Sequence, residues 1–424
     1  MKKKRLLFVL AAAVLFCFGV SFAACDDEDA TGSDDAGGTG SGDTVLEGTE
    51  GLEYELNEDG ESYAVTGIGT ATESSIVIAY EYEGLPVTAV GESAFSGCSG
   101  IVSVTVQGSV TSIGAAAFAG CSGLESITVP FVGGSADATE CDYDTTLFGY
   151  IFGTDYYEGS VQVDAEILSK ITSGQMSNIY YLPTSLEKAV VSGGMVLDYS
   201  FSCTSLKEIV LSDGVTGIGE FAFCYCTSLT SVTVSGSVTG IGVEAFGLCE
   251  ALTSVTIGSG VTSIAEYAFF GCTSLASIAI PDTVTGLGEF AFSECTSLTS
   301  VTIGNGVTSI EEYTFYACSS LLSVTIGSGV TGIGEYAFSE CTSLTSVTIP
   351  DSVTSIEQFA FRKCTSLTSV TIGGGVTSIG SDAFYKCTSL TVVYYNGTED
   401  EWDAISMSGN SYLTSATVYY SGQW

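Results

Sequence analysis

Cys295-Thr-Ser-Leu-Thr-Ser-Val-Thr-Ile-Gly-Asn-Gly-Val-Thr-Ser-Ile-Glu-Glu-Tyr-Thr-Phe-Tyr-Ala317 is one copy of a unit that recurs every 23 residues. Cys203, Cys226, Cys249, Cys272, Cys295, Cys318, Cys341, Cys364 and Cys387 all fall on that period. A fixed period of this length marks an array of one supersecondary unit, whose neighbours bury each other's apolar side. Within the unit, Leu298, Val301 and Ile303 form an L-x-x-V-x-I pattern, and the alternation with Ser300 and Thr302 is that of a strand. Gly304-Asn305-Gly306 predicts a turn, Val307 to Ile310 a second short extended piece, and Phe315 and Cys318 close the coil through an irregular or one-turn helical return.

The fold class read from this pattern is a β-rich solenoid of 23-residue repeats with short parallel strands and irregular or short helical returns. In-register parallel strands place successive units about 5 Å apart. Phe223, Phe246, Phe269, Phe292, Phe315, Phe338, Phe361 and Phe384 then form a buried spine. The ladder cysteines read as small apolar filler, because parallel Cβ vectors suit a disulfide poorly. Cys141 and Cys224 lie off the ladder, and an exported protein could bridge them.

The blocks Cys341-Thr-Ser-Leu-Thr-Ser-Val-Thr-Ile-Pro350, Val353-Thr-Ser-Ile356 and Phe359-Ala360-Phe361 resemble the BspA-like leucine-rich repeat family. The resemblance covers residues 50–420. It implies an exported bacterial protein that adheres to host proteins and to other cells.

Residues 1–24 read as an export signal, with Lys2 to Arg5 as its charged start and Leu6 to Val20 as its apolar stretch. Phe22-Ala23-Ala24-Cys25 resembles a lipoprotein signal with cleavage before Cys25 and lipid on its thiol. Ordinary cleavage after Ala23, leaving a secreted protein, is the alternative. Residues 25–50 are acidic and Gly/Ser-rich and form a flexible tether. The remaining organisation is an N-terminal cap at 51–90, the solenoid at 91–393 and a C-terminal cap at 394–424. In the C-terminal cap Glu399 to Ile405 forms a short helix, Leu413 to Tyr420 a strand, and Trp402 packs on the last coil. The equivalent residues Leu124 and Leu186 are 62 apart, which implies an insertion at about 134–182. The insertion holds Tyr143, Phe148, Tyr150, Phe152, Tyr156, Tyr157, Tyr180 and Tyr181.

Charge and composition narrow the function. Beyond Arg5 only 6 basic residues remain, from a total of 10, against 49 acidic ones, a formal balance of −43. Such a surface repels phosphate backbones, so nucleic acid is excluded as a partner. The chain has no histidine, the commonest general base and metal ligand. No cofactor is expected, the cysteine spacing is not that of a zinc site, and no metal site is assigned. Uniform ladders repeat one group rather than converging different groups on a point, so no catalytic residues are assigned. An alternative reading, a carbohydrate-active enzyme, would draw on Asp142, Asp144, Asp155 and Glu158.

Two columns flank each other at 23-residue spacing. One is acidic, with Glu220, Glu266, Glu289, Glu312 and Glu335. The other is aromatic, with Phe221, Tyr267, Phe290, Tyr313, Tyr336 and Phe359. The acidic column reads as a solvated edge, with calcium binding left open, and the aromatic one as partly inter-coil packing. The protein-binding candidates are Tyr143, Phe148, Tyr150, Phe152, Tyr156 and Tyr157 in the insertion, with Tyr267, Tyr313 and Tyr336 on the edge. The expected function is adhesion or protein binding at the cell surface, with extracellular or cell-surface proteins as partners and a lipid anchor to the membrane. A structural envelope protein without a specific ligand is the alternative.

Overall fold

The alternation of Val301 and Ile303 with Ser300 and Thr302 produces the strand Ser300–Ile303, whose apolar residues are buried. It pairs in parallel with Ser277–Ile280 and with Ser323–Thr325, each one repeat away. The second extended piece narrows to Ser309–Ile310, again stacked in parallel on its neighbour at Gly332–Ile333. The coils therefore form a β-solenoid, as the period requires. Turn glycines permit the stacking: a Cβ on Gly306 would collide with the Asp282 carbonyl one coil below. The computed structural model describes residues 45–142, 144–163, 178–202 and 204–423, so the segment read as an export signal, Cys25 and most of the expected tether lie outside the described residues. Among the described residues no helix is long and apolar enough to cross a membrane.

The interior is a stack of like on like. Rings of the phenylalanine column lie 4.9–5.5 Å apart and near parallel from Phe223 to Phe384. Full burial of each ring contributes about 1.5–3 kcal/mol. The Cys226–Cys387 series is fully buried, and its members form no disulfides with one another. Each thiol also donates to a main-chain carbonyl of the previous coil, as Cys318 does to Phe292 at 3.2 Å and Cys364 to Phe338 at 3.2 Å. A small side chain with one weak donor thus fits a site that is apolar except for that oxygen. Burial pushes the Cys295 thiol up to about 12, so it stays protonated. At the first rung Cys226 also meets the Thr204 hydroxyl, at 3.4 Å, one residue past Cys203, which lies outside the described residues. Cys141 and Cys224 are not bridged to each other.

The solenoid begins inside the segment expected to be a separate cap. Ser75–Ile78 and Leu85–Val90 already stack in parallel on Ser103–Val106 and Ser112–Ile113. Capping is left to the antiparallel hairpin of Glu53–Leu56 and Tyr63–Gly67. The insertion is flanked by strands that ignore it, since Lys188–Val191 pairs directly with Ser126–Val129.

At the other end the helix runs Glu399–Ala404 behind a Thr398/Glu401 capping box, and Trp402 packs 5.2 Å from the Tyr395 ring. The final strand, Thr417–Tyr420, is shorter than expected because Leu413 lies in a helical turn, Ser411–Thr414. Asn410 closes the ladder. In the regular coils the spine phenylalanine N–H donates to a carbonyl of the next coil, as Phe361 does to Ala383 at 2.8 Å. Phe384 has no next coil, and its N–H donates to Asn410 Oδ1 at 2.9 Å. Asn410 Nδ2 in turn donates to the Gly380 carbonyl at 2.9 Å. Asn410→Leu strands the buried Phe384 N–H and leaves the Gly380 carbonyl with the Ala383 N–H alone. It is expected to destabilise the chain by about 1–3 kcal/mol, read as a lower urea midpoint with an unchanged slope.

Candidate functional site: the ring-and-carboxylate edge

The return segments bring the site together through backbone conformation. Each carries two residues in the left-handed region, and most are not glycine: φ is 58° at Tyr267, 59° at Phe290, 57° at Tyr313, 56° at Tyr336 and 59° at Phe359. Such conformations cost on the order of 1–3 kcal/mol each and persist only where surroundings enforce them. The enforcement here is a ladder of hydrogen bonds. Tyr267 N–H donates to the Glu289 carbonyl at 3.0 Å, Phe290 to Glu312 at 3.0 Å, and Tyr313 to Glu335 at 2.9 Å. These three rings are thereby set beside a glutamate of the next coil, while the Tyr336 and Phe359 N–H groups donate to the carbonyls of Gln358 and Ser381.

The rings Tyr267, Phe290, Tyr313 and Tyr336 stack at 4.5–4.7 Å with planes within 10° of parallel, and Phe359 follows at 4.8 Å, tilted by 31°. All are half-buried: ring faces are covered by neighbours, while ring edges and hydroxyls reach the surface. Desolvation, reinforced by neighbouring carboxylates, raises the Tyr267 phenol to about 12. The Tyr313 phenol is also raised to about 12, by desolvation and then by Tyr336, Glu335 and Glu312. Both remain hydrogen-bond donors at physiological pH. Phe270 and Tyr316, absent from the sequence-level candidates, meet Tyr267 and Tyr313 edge-on at 5.8 and 5.5 Å. The column is interrupted at Glu244, which takes the ring position between Phe221 and Tyr267 with φ 52°. Burial raises its carboxyl to about 7.

The insertion divides into core and surface. Phe148 and Phe152 are 1% and 0% exposed, so they are removed from the binding candidates. They carry the spine across the gap: Phe118 lies 6.4 Å from Phe152, Phe152 is 5.3 Å from Phe148, and Phe148 is 4.6 Å from Phe201. Main-chain bonds follow the same path, from Phe118 N–H to the Ile151 carbonyl and from Phe148 N–H to that of Ser200, both 2.8 Å. Tyr156 is 71% exposed and meets Tyr181 edge-on at 5.9 Å. Tyr157 is half-buried with its hydroxyl inside and lacking a partner. Tyr143 lies outside the described residues.

Tyr150 and Tyr180 wall a crevice of about 280 Å³, lined also by Glu92, Asp144, Asp155 and Asn178. It opens where the aromatic column holds the small Ala116. Asn178 and the Tyr180 hydroxyl both donate to Asp144, at 2.8 Å. Of the predicted acidic cluster only Asp144 and Asp155 line it, while Asp142 accepts from the Asp144 N–H and the Thr145 hydroxyl in a local turn. Among the described residues no group of three potential ligands is placed to hold a metal ion. A second surface cluster was not singled out from sequence. On the N-terminal hairpin Tyr54 stacks on Tyr82 at 4.0 Å, and Tyr63 meets both edge-on.

Residues 81–133, 195–322 and 287–414 match the family profile described as "BspA type Leucine rich repeat region", in six copies. Three crystal structures are similar. One is a leucine-rich repeat protein from Bacteroides ovatus (24% identity, covering 89% of this chain and 99% of that one, TM-score 0.36). Another is a leucine rich cell surface protein from Faecalibacterium prausnitzii (25%, 85% and 97%, 0.32). The third is a leucine-rich repeat protein from Eubacterium ventriosum (21%, 81% and 94%, 0.40). No curated protein matches the chain.

Proposed function

This chain belongs to the BspA-type leucine-rich repeat family, and from that premise we propose that it is an exported, lipid-anchored surface protein that binds proteins of the host matrix or of other cells. The observation that carries the reading is the ring ladder from Tyr267 to Phe359: rigid, half-exposed and continuous over five coils. Preordered aromatic edges supply contact area at little entropic cost, as protein-binding surfaces require. The exposed Tyr156 offers a second contact. Export rests on Lys2 to Val20 and anchoring on Cys25. The mechanism is recognition, with no covalent step.

Removing 134–182 would not test this, because it takes out Phe148 and Phe152 and with them the spine. The test is binding of the purified chain to immobilised extracellular-matrix proteins and to epithelial cells, beside a variant carrying Tyr156→Ser, Tyr267→Ser, Tyr313→Ser and Tyr336→Ser. Saturable binding that weakens at least tenfold in a variant that still unfolds cooperatively is the expected result. Absence of saturable binding by the parent chain would sink the reading in favour of a structural envelope role.

A further inference from the structure

Between Lys207 and Arg362 the chain contains no lysine or arginine and fifteen carboxylates. Ten of the fifteen fall in the return segments between the second strand and the ladder cysteine, and from Ser231 onward the strands carry no carboxylate and present serine and threonine hydroxyls. Acidic charge is therefore gathered on the one edge that also carries the ring ladder. Glu289, Glu312 and Glu335 each lie beside a ring, because their carbonyls accept the N–H of the ring residue one coil earlier, while Glu266 accepts from the Glu244 N–H and is next to Tyr267 in the chain. Basic side chains bound this stretch only at its two ends. Lys207 pairs with Glu187 at 2.5 Å, and Glu340 takes Arg362 at 3.1 Å and Lys363 at 2.6 Å.

This strip selects its occupant by charge and geometry. Ring faces are covered by stacking, so an interior cation–π seat is closed. What a ligand meets is a band of carboxylates, phenol hydroxyls and apolar ring edges. Phosphate polymers and acidic proteins are repelled, while a segment rich in positive donors is attracted and oriented. From Tyr267 to Phe359 the ladder spans about 19 Å, the length of about six residues of extended chain. Same-face side chains of such a segment repeat at about 6.7 Å, so two of them match three coils. We infer that the partner engages this edge through an extended segment rich in lysine and arginine, whose cations pair with Glu266, Glu289, Glu312 and Glu335 while its stems lie on the ring edges. The inference rests on the protein-binding reading above and names the chemistry of the partner.

The test is fluorescence anisotropy of a labelled (Arg-Ser)6 peptide with the purified chain at 50 and 150 mM NaCl. Three proteins are compared: the parent, an edge variant with Glu266→Gln, Glu289→Gln, Glu312→Gln and Glu335→Gln, and a control with Glu125→Gln, Asp213→Asn, Glu250→Gln and Asp400→Asn. Both variants lose four charges, and those of the control lie off the ring-and-carboxylate column. Saturable binding that falls at least tenfold in the edge variant and less than threefold in the control is expected. Equal losses would mean that the peptide reads net charge alone, and would overturn the inference, as would the absence of saturable binding. A parent that fails here yet binds matrix proteins or cells refutes the basic-segment inference and leaves the protein-binding reading standing. Edge-specific peptide binding without any matrix or cell binding does the reverse.

Discussion

Phe148→Ala is expected to lower the stability of the chain by about 3–5 kcal/mol, the cost of emptying a ring-sized site in a packed core. An exposed binding aromatic would change stability by less than about 0.5 kcal/mol. The difference follows from position: Phe148 lies 4.6 Å from Phe201 and 5.3 Å from Phe152, which continues the spine to Phe118. In a solenoid each coil is held by its neighbours, so a defect at a junction weakens the coupling between the two sides. Urea unfolding of Phe148→Ala should therefore separate into two transitions where the parent shows one. Tyr156→Ala, in the same insertion but 71% exposed, should leave the transition unchanged. Equal behaviour of the two variants would remove Phe148 from the core.

A Glu244→Gln variant should be more stable than the parent at pH 8 and indistinguishable from it at pH 4. Burial raises the Glu244 carboxyl from its ordinary 4.5 to about 7. A carboxyl raised on folding is held neutral in the native state, so folding carries no penalty below the unfolded value. The unfolded chain releases the proton first, and the native state loses stability progressively as pH climbs from about 4.5 to about 7, then no further. The full difference is about 3 kcal/mol, since each tenfold change in proton affinity between the folded and unfolded chain is worth about 1.36 kcal/mol. The readout is the gap between the urea midpoints of parent and variant across that range, which cancels the chain's other carboxylates. Glu244→Tyr, which restores the ring column between Phe221 and Tyr267, should gain at least as much at pH 8. A gap that does not change with pH would show that the carboxylate is solvated.

The pKa of Glu244 and the role of Phe148 were hidden in the sequence for related reasons. The 23-residue period carries information about stacking, since each residue's main neighbour is its own equivalent one coil away. Phe292 could thus be assigned to the spine from Phe269 and Phe315 alone. Phe148 has no equivalent at that spacing, and an aromatic in an aperiodic insertion looks the same whether it faces core or solvent. For the left-handed returns a signal was present. Gly97, Gly120 and Gly271 stand directly before ladder cysteines, in the column where Glu294, Glu340 and Lys363 adopt the same positive φ. A column that accepts glycine beside charged residues is one whose backbone, rather than side chain, is constrained.

The sequence by itself determined the repeat, the parallel stacking, the phenylalanine spine, the thiol ladder and the pairing of a ring column with a carboxylate column. All of these follow from local periodicity, because a one-dimensional stack turns sequence spacing directly into contact. Only the tertiary structure decided which aromatics of the insertion are core and that Asn410 stands in for a missing coil. It alone showed that Glu244 is held out of water and that the ring faces are covered while their edges are open. Each of these depends on contacts between residues with no periodic relation, or on the depth of a side chain, and neither is written in spacing.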